Sequence, residues 1–141
     1  MENTEIKKWQ DELEEELSPE TVRKRDYPMK KLTTLRIGGP ADFYVEPSCT
    51  DELKKILSYC AGSGVPFFLL GRGSNLVVKD GGIRGVVCSL RNSFFSQTEV
   101  KNGRLLIHAG AGATLRQIAQ YAQASALAGL EFMEGIPGSL G

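Results

Sequence analysis

The sequence predicts an α+β fold, and three observations support this prediction. Apolar residues recur at helical spacing in three segments, and short apolar runs typical of strands lie between them. Turns rich in glycine separate many of these runs. At 141 residues, 41% of them hydrophobic, the chain is about one domain long and can bury a core.

Residues 4–17 form the first predicted helix, because apolar side chains recur there among charged ones. These side chains are Ile6, Trp9, Leu13 and Leu17. Pro19 interrupts the helix, since proline cannot continue a helix interior without losing a hydrogen bond. The basic residues at 23–25 and 30–31 are interpreted as part of a solvated connector rather than a phosphate site.

A compact unit follows, and it opens with a predicted strand over 41–45 that ends before Pro47. The second helix takes Thr50 as its N-cap, with two acidic residues in its first turn. Glycines at 62 and 64 end it. Its predicted apolar face consists of Leu53, Ile56, Leu57 and Cys60.

Three more strands complete this unit. A buried strand over 66–70 leads into a glycine-rich loop, and a short strand over 76–78 follows the loop. A turn over 79–82 then leads to a strand over 86–90. The expected core of the unit comprises Leu53, Ile56, Leu57, Phe67, Leu69, Val86 and Val87.

A second unit begins after a polar break near residue 92. Apolar runs on either side of Asn102-Gly103 predict a hairpin. Thr114 and Gln117 match a capping box at the start of a third helix. The buried face of that helix is predicted to be Leu115, Ile118, Ala119 and Ala122. Because this unit has too few elements to close a core, we expect the chain to be a piece cut within a domain.

Charge and composition argue against several classes of protein. The 17 basic and 17 acidic residues balance, so no excess of cations favours nucleic-acid binding. The apolar runs are far shorter than a membrane span, and no secretory signal is evident. Three scattered cysteines and a single histidine argue against zinc and suggest a reducing compartment. We therefore expect a cytoplasmic protein that binds neither nucleic acid nor a membrane, with Cys49, Cys60 and Cys88 as small buried hydrophobes.

Two glycine-rich loops carry the strongest functional signal. One is Gly71-Arg72-Gly73-Ser74-Asn75-Leu76, and the other is Gly135-Ile136-Pro137-Gly138-Ser139. Consecutive N–H groups in such loops form concavities that bind anions, and glycine lets the backbone approach a ligand closely. Either loop alone is more simply a tight turn, but both together suggest a large ligand that bears phosphate.

A dinucleotide-binding motif of the Rossmann type is one alternative. The segment 110–115 follows a strand, opens a helix and is followed by Glu131 where a ribose-binding acid would lie. However, Leu115 replaces the third glycine of that motif. Too little chain follows for the remaining strands and helices, so the match is interpreted as accidental.

Four motifs, in order, resemble the UDP-N-acetylenolpyruvoylglucosamine reductase family from about residue 31 onward. They are T-T-L-R-I-G-G-P-A (33–41), G-R-G-S-N-L-V-V (71–78) with the turn that follows it, the strand and A-G-A-G loop within 100–115, and G-L-E with G-I-P-G-S-L-G (129–141). Arg72 departs from the family, which often has glycine at that position.

The resemblance implies an FAD-binding fold of the vanillyl-alcohol oxidase and p-cresol methylhydroxylase type. Its first subdomain would be complete at 33–92 and its second truncated at 93–141, after an N-terminal helix and connector at 1–32. It also implies NADPH as hydride donor and a UDP-sugar substrate, UDP-N-acetylglucosamine enolpyruvate. That substrate, bound through C-terminal regions, would be reduced to UDP-N-acetylmuramate for peptidoglycan biosynthesis.

The same resemblance implies which residues contact FAD. They are Gly71, Arg72, Gly73, Ser74, Asn75, Leu76, Gly110, Gly112, Gly135, Ile136, Pro137, Gly138 and Ser139. For Arg36 a structural ion pair is expected, and for His108 a packing role. No catalytic residue is assigned, because the family's serine proton donor, its acidic partner and its active-site arginine come from sequence beyond the G-I-P-G loop.

Two other functions stay open at this point. The chain could be a freestanding nucleotide-binding or interaction module that never turns over, or part of another flavin oxidoreductase. If it is the N-terminal portion of the reductase, the chain alone is expected to be inactive, and the sequence that follows Gly141 would distinguish these possibilities.

Overall fold

The fold is taken from a computed structural model, which describes residues 3–101 and 106–141. The chain divides into two compact units, one ending at Ser89 and one beginning at Leu90. Each unit is described by itself below.

The first unit is built on a four-stranded sheet. Its strands occur in the spatial order β1-β2-β4-β3; β2, β3 and β4 are parallel, and β1 is antiparallel to β2. The strands are β1 (Val22–Pro28), β2 (Pro40–Glu46), β3 (Phe67–Leu70) and β4 (Ile83–Ser89). Most residues of the two central strands, β2 and β4, are buried.

The connector predicted after the first helix is wrong, because this segment forms the edge strand β1. The charged side chains of this segment do not follow a typical strand pattern. They suit a strand at the edge of a sheet, because charges there prevent pairing with other chains. Arg25 of β1 donates to the carboxylates of Asp11 and Glu14, at 2.7 Å each. These ion pairs join the strand to the first helix, so Arg25 has structural partners.

The first helix is α1 (Asn3–Glu16), which confirms the helix predicted from the spacing of apolar residues. Its Leu13 is fully buried, and Trp9 packs edge to face on Phe43 of β2, with ring centroids 6.1 Å apart. The next residue of β2, Tyr44, faces the opposite side of the sheet because side chains alternate along a strand. It lies in a separate apolar cluster of Met29, Ala41, Tyr44, Leu70, Val78 and Val87.

The second helix, α2 (Thr50–Ser63), ends at Gly64 as expected, with φ +70°. Its N-cap is Cys49 rather than the predicted Thr50. Leu57, predicted to be in the core, is 42% exposed, whereas Ile56 is fully buried. The buried row of this helix begins instead at Glu52, a charged residue that the apolar pattern does not include.

The carboxylate of Glu52 is buried because three groups of the chain satisfy it. The Ser18 N–H donates to it at 3.0 Å, the Thr21 hydroxyl at 3.2 Å and the Lys55 ammonium at 2.8 Å. Glu52 therefore ties the start of α2 to the chain between α1 and β1.

Strand β3 confirms the strand predicted after Pro66, but the predicted burial is complete only at Leu70, which is 3% exposed. The strand lies at the edge of the sheet, where Phe68 and Leu69 are 38% and 50% exposed. The strand predicted over 76–78 is wrong, since that part of the described chain has no regular secondary structure. Val86 and Val87 of the central strand β4 are fully buried, as predicted.

The second unit contains a two-stranded antiparallel sheet and one helix. The strands β5 (Thr98–Lys101) and β6 (Leu106–Ala109) are antiparallel partners, as the predicted hairpin requires. The Asn-Gly turn predicted between them lies outside the described residues. The helix α3 (Leu115–Ala124) begins with the predicted capping box of Thr114 and Gln117. Ile118, Ala119 and Ala122 are buried as predicted, while Leu115 is half-buried.

Candidate functional site

The first glycine-rich loop, 71–76, begins at the carboxyl end of β3. In open sheets of parallel strands, ligands bind at this end. Gly73 is buried and has φ +69°, and a β-carbon there would lie 2.1 Å from the Leu32 carbonyl oxygen. Its own carbonyl accepts a hydrogen bond from the Thr34 N–H at 3.0 Å. Only glycine allows this path, so its first role is to fold the loop.

The same loop presents donors that the protein does not use. Within the residues that the structure describes, the N–H groups of Arg72, Gly73 and Asn75 donate no hydrogen bond. The side chains of Arg72 and Asn75 are exposed and likewise have no polar partner there. Ser74 is also exposed, and Leu76 is half-buried against the apolar cluster around Tyr44. Several donors and a cation on one short loop are suited to phosphate oxygens.

The segment 33–39 lies against this loop through the hydrogen bond between Thr34 and Gly73. Gly39 of this segment serves a close backbone contact, since a β-carbon there would lie 1.9 Å from the Asp80 carbonyl oxygen. The predicted turn is present, with the Gly82 N–H donating to the Lys79 carbonyl at 2.9 Å. The motif T-T-L-R-I-G-G-P thus packs beside the turn that precedes β4.

The prediction of an ion pair for Arg36 is wrong within the part of the chain that the structure describes. Arg36 is exposed and its guanidinium contacts no acceptor among those residues. Its backbone is in the left-handed region, with φ +55°. Sequence reasoning could not reveal this conformation, because arginine rarely adopts it.

In the second unit, Gly110 and Gly112 are packed against neighbouring backbone. A β-carbon would lie 2.1 Å from the Phe95 carbonyl oxygen at Gly110 and 1.7 Å from that of Leu90 at Gly112. Their N–H groups donate to the carbonyls of Gln97 and Phe95, both at 2.8 Å. These two amides are therefore engaged within the protein, and the glycines shape the start of α3.

The segment 135–139 is brought beside the turn that starts α3. Gly138 accepts from the Leu115 N–H at 3.2 Å, and the Leu140 N–H donates to the Ala113 carbonyl at 2.9 Å. Thr114 and Ser139 form an isolated antiparallel bridge. The structure thus places the A-G-A-G motif and the G-I-P-G-S motif side by side within one unit.

The surface of this segment is open and partly apolar. No atom lies within 4 Å of a β-carbon built on Gly135, and Ile136 is 46% exposed. Pro137 is also exposed, while the Ser139 hydroxyl donates to the Gly141 carbonyl at 3.1 Å. Glycine beside exposed apolar side chains leaves room for a flat ring to approach the backbone.

The remaining candidates show no site of their own. No group of three metal-binding side chains occurs in 3–101 and 106–141, and no helix among these residues is long and apolar enough to cross a bilayer. Burial raises the pKa of Cys60 to about 11 and that of Cys88 to about 12, while Cys49 is only half-buried. His108 is exposed on β6 opposite Glu99, so the packing role expected for it is wrong.

Comparison with known proteins gives a family match. Residues 41–141 match the FAD binding domain family. The chain is 46% identical over 117 residues to the UDP-N-acetylenolpyruvoylglucosamine reductase of Geobacter metallireducens, covering 83% of this chain and 38% of that protein. It is 43% identical over 125 residues to the enzyme of that name from Clostridioides difficile, covering 89% of this chain and 40% of that protein.

A solved structure agrees with these relatives. The crystal structure of UDP-N-acetylenolpyruvylglucosamine reductase from Thermus caldophilus superimposes with a TM-score of 0.60 at 30% identity. The match covers 86% of this chain and 40% of that one. The chain therefore spans about two-fifths of the length of the proteins it matches. These matches confirm the fold class and the resemblance carried by the four motifs.

Proposed function

This chain belongs to the FAD-binding domain family, and on that premise we propose that it is the FAD-binding portion of a UDP-N-acetylenolpyruvoylglucosamine reductase. The observation that carries the proposal is the loop 71–76, in which the N–H groups of Arg72, Gly73 and Asn75 have no acceptors in the described chain. FAD has a diphosphate whose oxygens match those donors.

We assign the loop residues as follows. The N–H groups of Arg72, Gly73 and Asn75 donate to the diphosphate, and the Arg72 guanidinium adds positive charge beside it. The hydroxyl of Ser74 donates to the same group. Gly71 and Leu76 hold the two ends of the loop, Leu76 through its contact with the apolar cluster around Tyr44.

The second unit, taken by itself, presents a different kind of surface. The open backbone at Gly135, with Ile136 and Pro137 exposed beside it, accommodates an apolar part of the cofactor. Gly138 and Ser139 fix this segment against the start of α3. The amides of Gly110 and Gly112 are engaged with other carbonyls, so these glycines act on the cofactor only by shaping the neighbouring backbone.

Bound FAD supplies hydride transfer from NADPH to the enolpyruvyl double bond of the UDP-sugar. The described residues of this chain bind and orient the cofactor, and we assign no proton donor among them. Substrate binding and catalysis are proposed to need parts of the reductase that this chain does not match. A cytoplasmic location fits the three free cysteines, none of which pairs with another.

Titration of FAD into the 141-residue chain, followed by flavin fluorescence, tests the proposal. We expect saturable but weak binding, with Kd above about 1 μM, because only part of the cofactor site is pre-organised. Asn75→Ala should weaken it, because this change removes a side-chain amide that has no partner in the described chain and is available to the diphosphate. Ser58→Ala, which removes an exposed hydroxyl from α2, should not. If FAD shows no saturable binding, a freestanding module without the flavin is the better interpretation.

A further inference from the structure

We infer that Arg36 is a ligand-binding residue, whose guanidinium contacts a phosphate group of the dinucleotide held by the loop 71–76. This inference rests on the proposed function, since it takes that loop as the cofactor site. Three features of the described chain support it: a strained backbone, a side chain with no structural contact, and a position beside the loop.

The backbone of Arg36 has φ +55°, in the left-handed region. For a residue with a β-carbon this conformation is less stable than the right-handed one, whereas glycine adopts it without penalty. The turn around it is held without the arginine side chain. The Arg36 N–H donates to the Thr33 carbonyl at 3.2 Å, and the Thr33 hydroxyl donates to the Ile37 carbonyl at 3.0 Å. A glycine would therefore serve the fold at least as well.

The side chain of Arg36 makes no polar contact that would offset the strain. Among the residues that the structure describes, its guanidinium has neither a hydrogen bond nor an ion pair. Other arginines in the described chain do have acceptors. Those with a carboxylate partner are Arg25, with Asp11 and Glu14, Arg84, with Asp42, and Arg116, with Glu134.

The position of Arg36 beside the loop 71–76 indicates a role for its positive charge in that loop's site. The hydrogen bond from Thr34 to Gly73 fastens its turn to the loop, and Arg36 is two residues from that bond. Its Cα therefore lies within about 7.6 Å of the Cα of Thr34. Arg72, the other guanidinium without an acceptor in the described chain, is adjacent to Gly73.

Two such cations next to unused N–H donors form a site for an anion with several oxygens. Guanidinium is suited to this task because its fork of donors matches two oxygens of a phosphate at once. We assign the diphosphate of FAD as the group contacted. A phosphate of NADPH has the same chemistry and is the alternative source that the experiment must separate.

The test compares FAD, riboflavin and NADPH as ligands of the 141-residue chain carrying Arg36→Gly or Arg36→Lys. We expect Arg36→Gly to weaken FAD binding about three- to tenfold and to leave riboflavin binding unchanged, because riboflavin has no phosphate. Thermal stability should stay equal or rise, since glycine relieves the strain. Arg36→Lys should retain part of the FAD affinity, because it keeps the charge but not the fork of donors.

Asp26→Gly is the matched control, because Asp26 also has a positive φ, +49°, and is exposed. It relieves backbone strain without removing a cation, so FAD affinity should not change. Wild-type FAD affinity in Arg36→Gly would overturn the inference while leaving the proposed function intact. A loss of cooperative unfolding in Arg36→Gly would instead make Arg36 a structural residue. An effect on NADPH alone, or an equal loss for riboflavin, would also refute the contact with the FAD diphosphate. Failure of the wild-type chain to bind FAD would overturn the proposed function and the inference together.

Discussion

Gly73 and Leu32 approach so closely that a β-carbon on Gly73 would lie 2.1 Å from the Leu32 carbonyl oxygen. The obstacle is backbone, which cannot rotate away as a side chain can. Together with the hydrogen bond from Thr34 to the Gly73 carbonyl, this contact ties the segment 33–39 to the loop 71–76. The shape of the proposed phosphate site therefore depends on one residue without a side chain.

We expect Gly73→Ala to lower the free energy of unfolding by more than about 2 kcal/mol, because alanine adds both a steric clash and strain at positive φ. Chemical denaturation measures this difference. Gly62→Ala is the control, since Gly62 lies within α2 and no atom is within 4 Å of an added β-carbon. It should raise stability by up to about 1 kcal/mol. Equal stability of wild type and Gly73→Ala would contradict the packing described.

Arg72 and Ser74 should contribute differently to FAD binding. Because Arg72 is exposed, we expect Arg72→Gly to weaken binding by about 1 kcal/mol or less, and high salt should remove most of that difference. Ser74→Ala should weaken it by roughly 1.5–3 kcal/mol if its hydroxyl donates to a charged phosphate. FAD titrations of both variants at low and high salt make the comparison. If Arg72→Gly is the more damaging change at high salt, the loop does not bind the diphosphate as proposed.

Glu52 should contribute to stability in a way that depends on pH. Burial acts to raise the pKa of its carboxyl, but hydrogen bonds from Lys55, Ser18 and Thr21 outweigh burial and hold that pKa below its usual value. A lowered pKa stabilises the fold above the unfolded value of about 4.3, and the contribution disappears as pH falls through the folded pKa. We expect Glu52→Gln to reduce stability at pH 7 by about 1.5–3 kcal/mol.

Unfolding curves between pH 7 and pH 3 provide the measurement. The difference between wild type and Glu52→Gln should narrow toward acid, where the wild-type carboxylate is protonated as well. Asp51→Asn is the neighbouring control, because Asp51 and its partner Lys54 are both largely exposed. A difference for Glu52→Gln that stays constant down to pH 3 would mean that the charge is not what stabilises the helix.

The sequence predicts both Ile56 and Leu57 to be in the core, but the structure distinguishes the two side chains. Ile56 is fully buried and Leu57 is 42% exposed. We expect Ile56→Ala to lower the free energy of unfolding by about 2–5 kcal/mol, the range for a buried aliphatic side chain. Leu57→Ala should lower it by less than about 1 kcal/mol. Similar losses for the two variants, measured by urea denaturation, would show that the helix is rotated from its position here.

The 141-residue chain should not catalyse NADPH-dependent reduction of UDP-N-acetylglucosamine enolpyruvate, even with excess FAD. It spans about two-fifths of the reductases it matches, and reduction of the double bond needs a proton donor held at hydrogen-bond distance. Oxidation of NADPH, monitored at its absorbance band with and without the UDP-sugar, measures turnover. Substrate-dependent oxidation that follows the chain through purification would show that a proton donor lies among these residues.

The features predicted correctly from sequence depend on neighbours along the chain. The capping box joins Thr114 to Gln117, three residues apart, and Gly64 ends α2 by its own backbone conformation. The turn at 79–82 likewise closes through a bond between residues three apart. Such contacts are encoded locally, so residue types and spacing are sufficient to predict them. The glycine loops were equally visible, because their composition is unusual wherever they fold.

Only the tertiary structure decided which residues are buried and which glycines are engaged. Leu69 is exposed because β3 lies at the edge of the sheet, and strand order depends on pairing between distant segments. Glu52 is buried because groups more than thirty residues away satisfy its charge. The amides of Gly110 and Gly112 are engaged with carbonyls from other parts of the unit, while Arg72 and Asn75 retain donors. These outcomes depend on the path of the folded backbone, which a pattern of residue types does not contain.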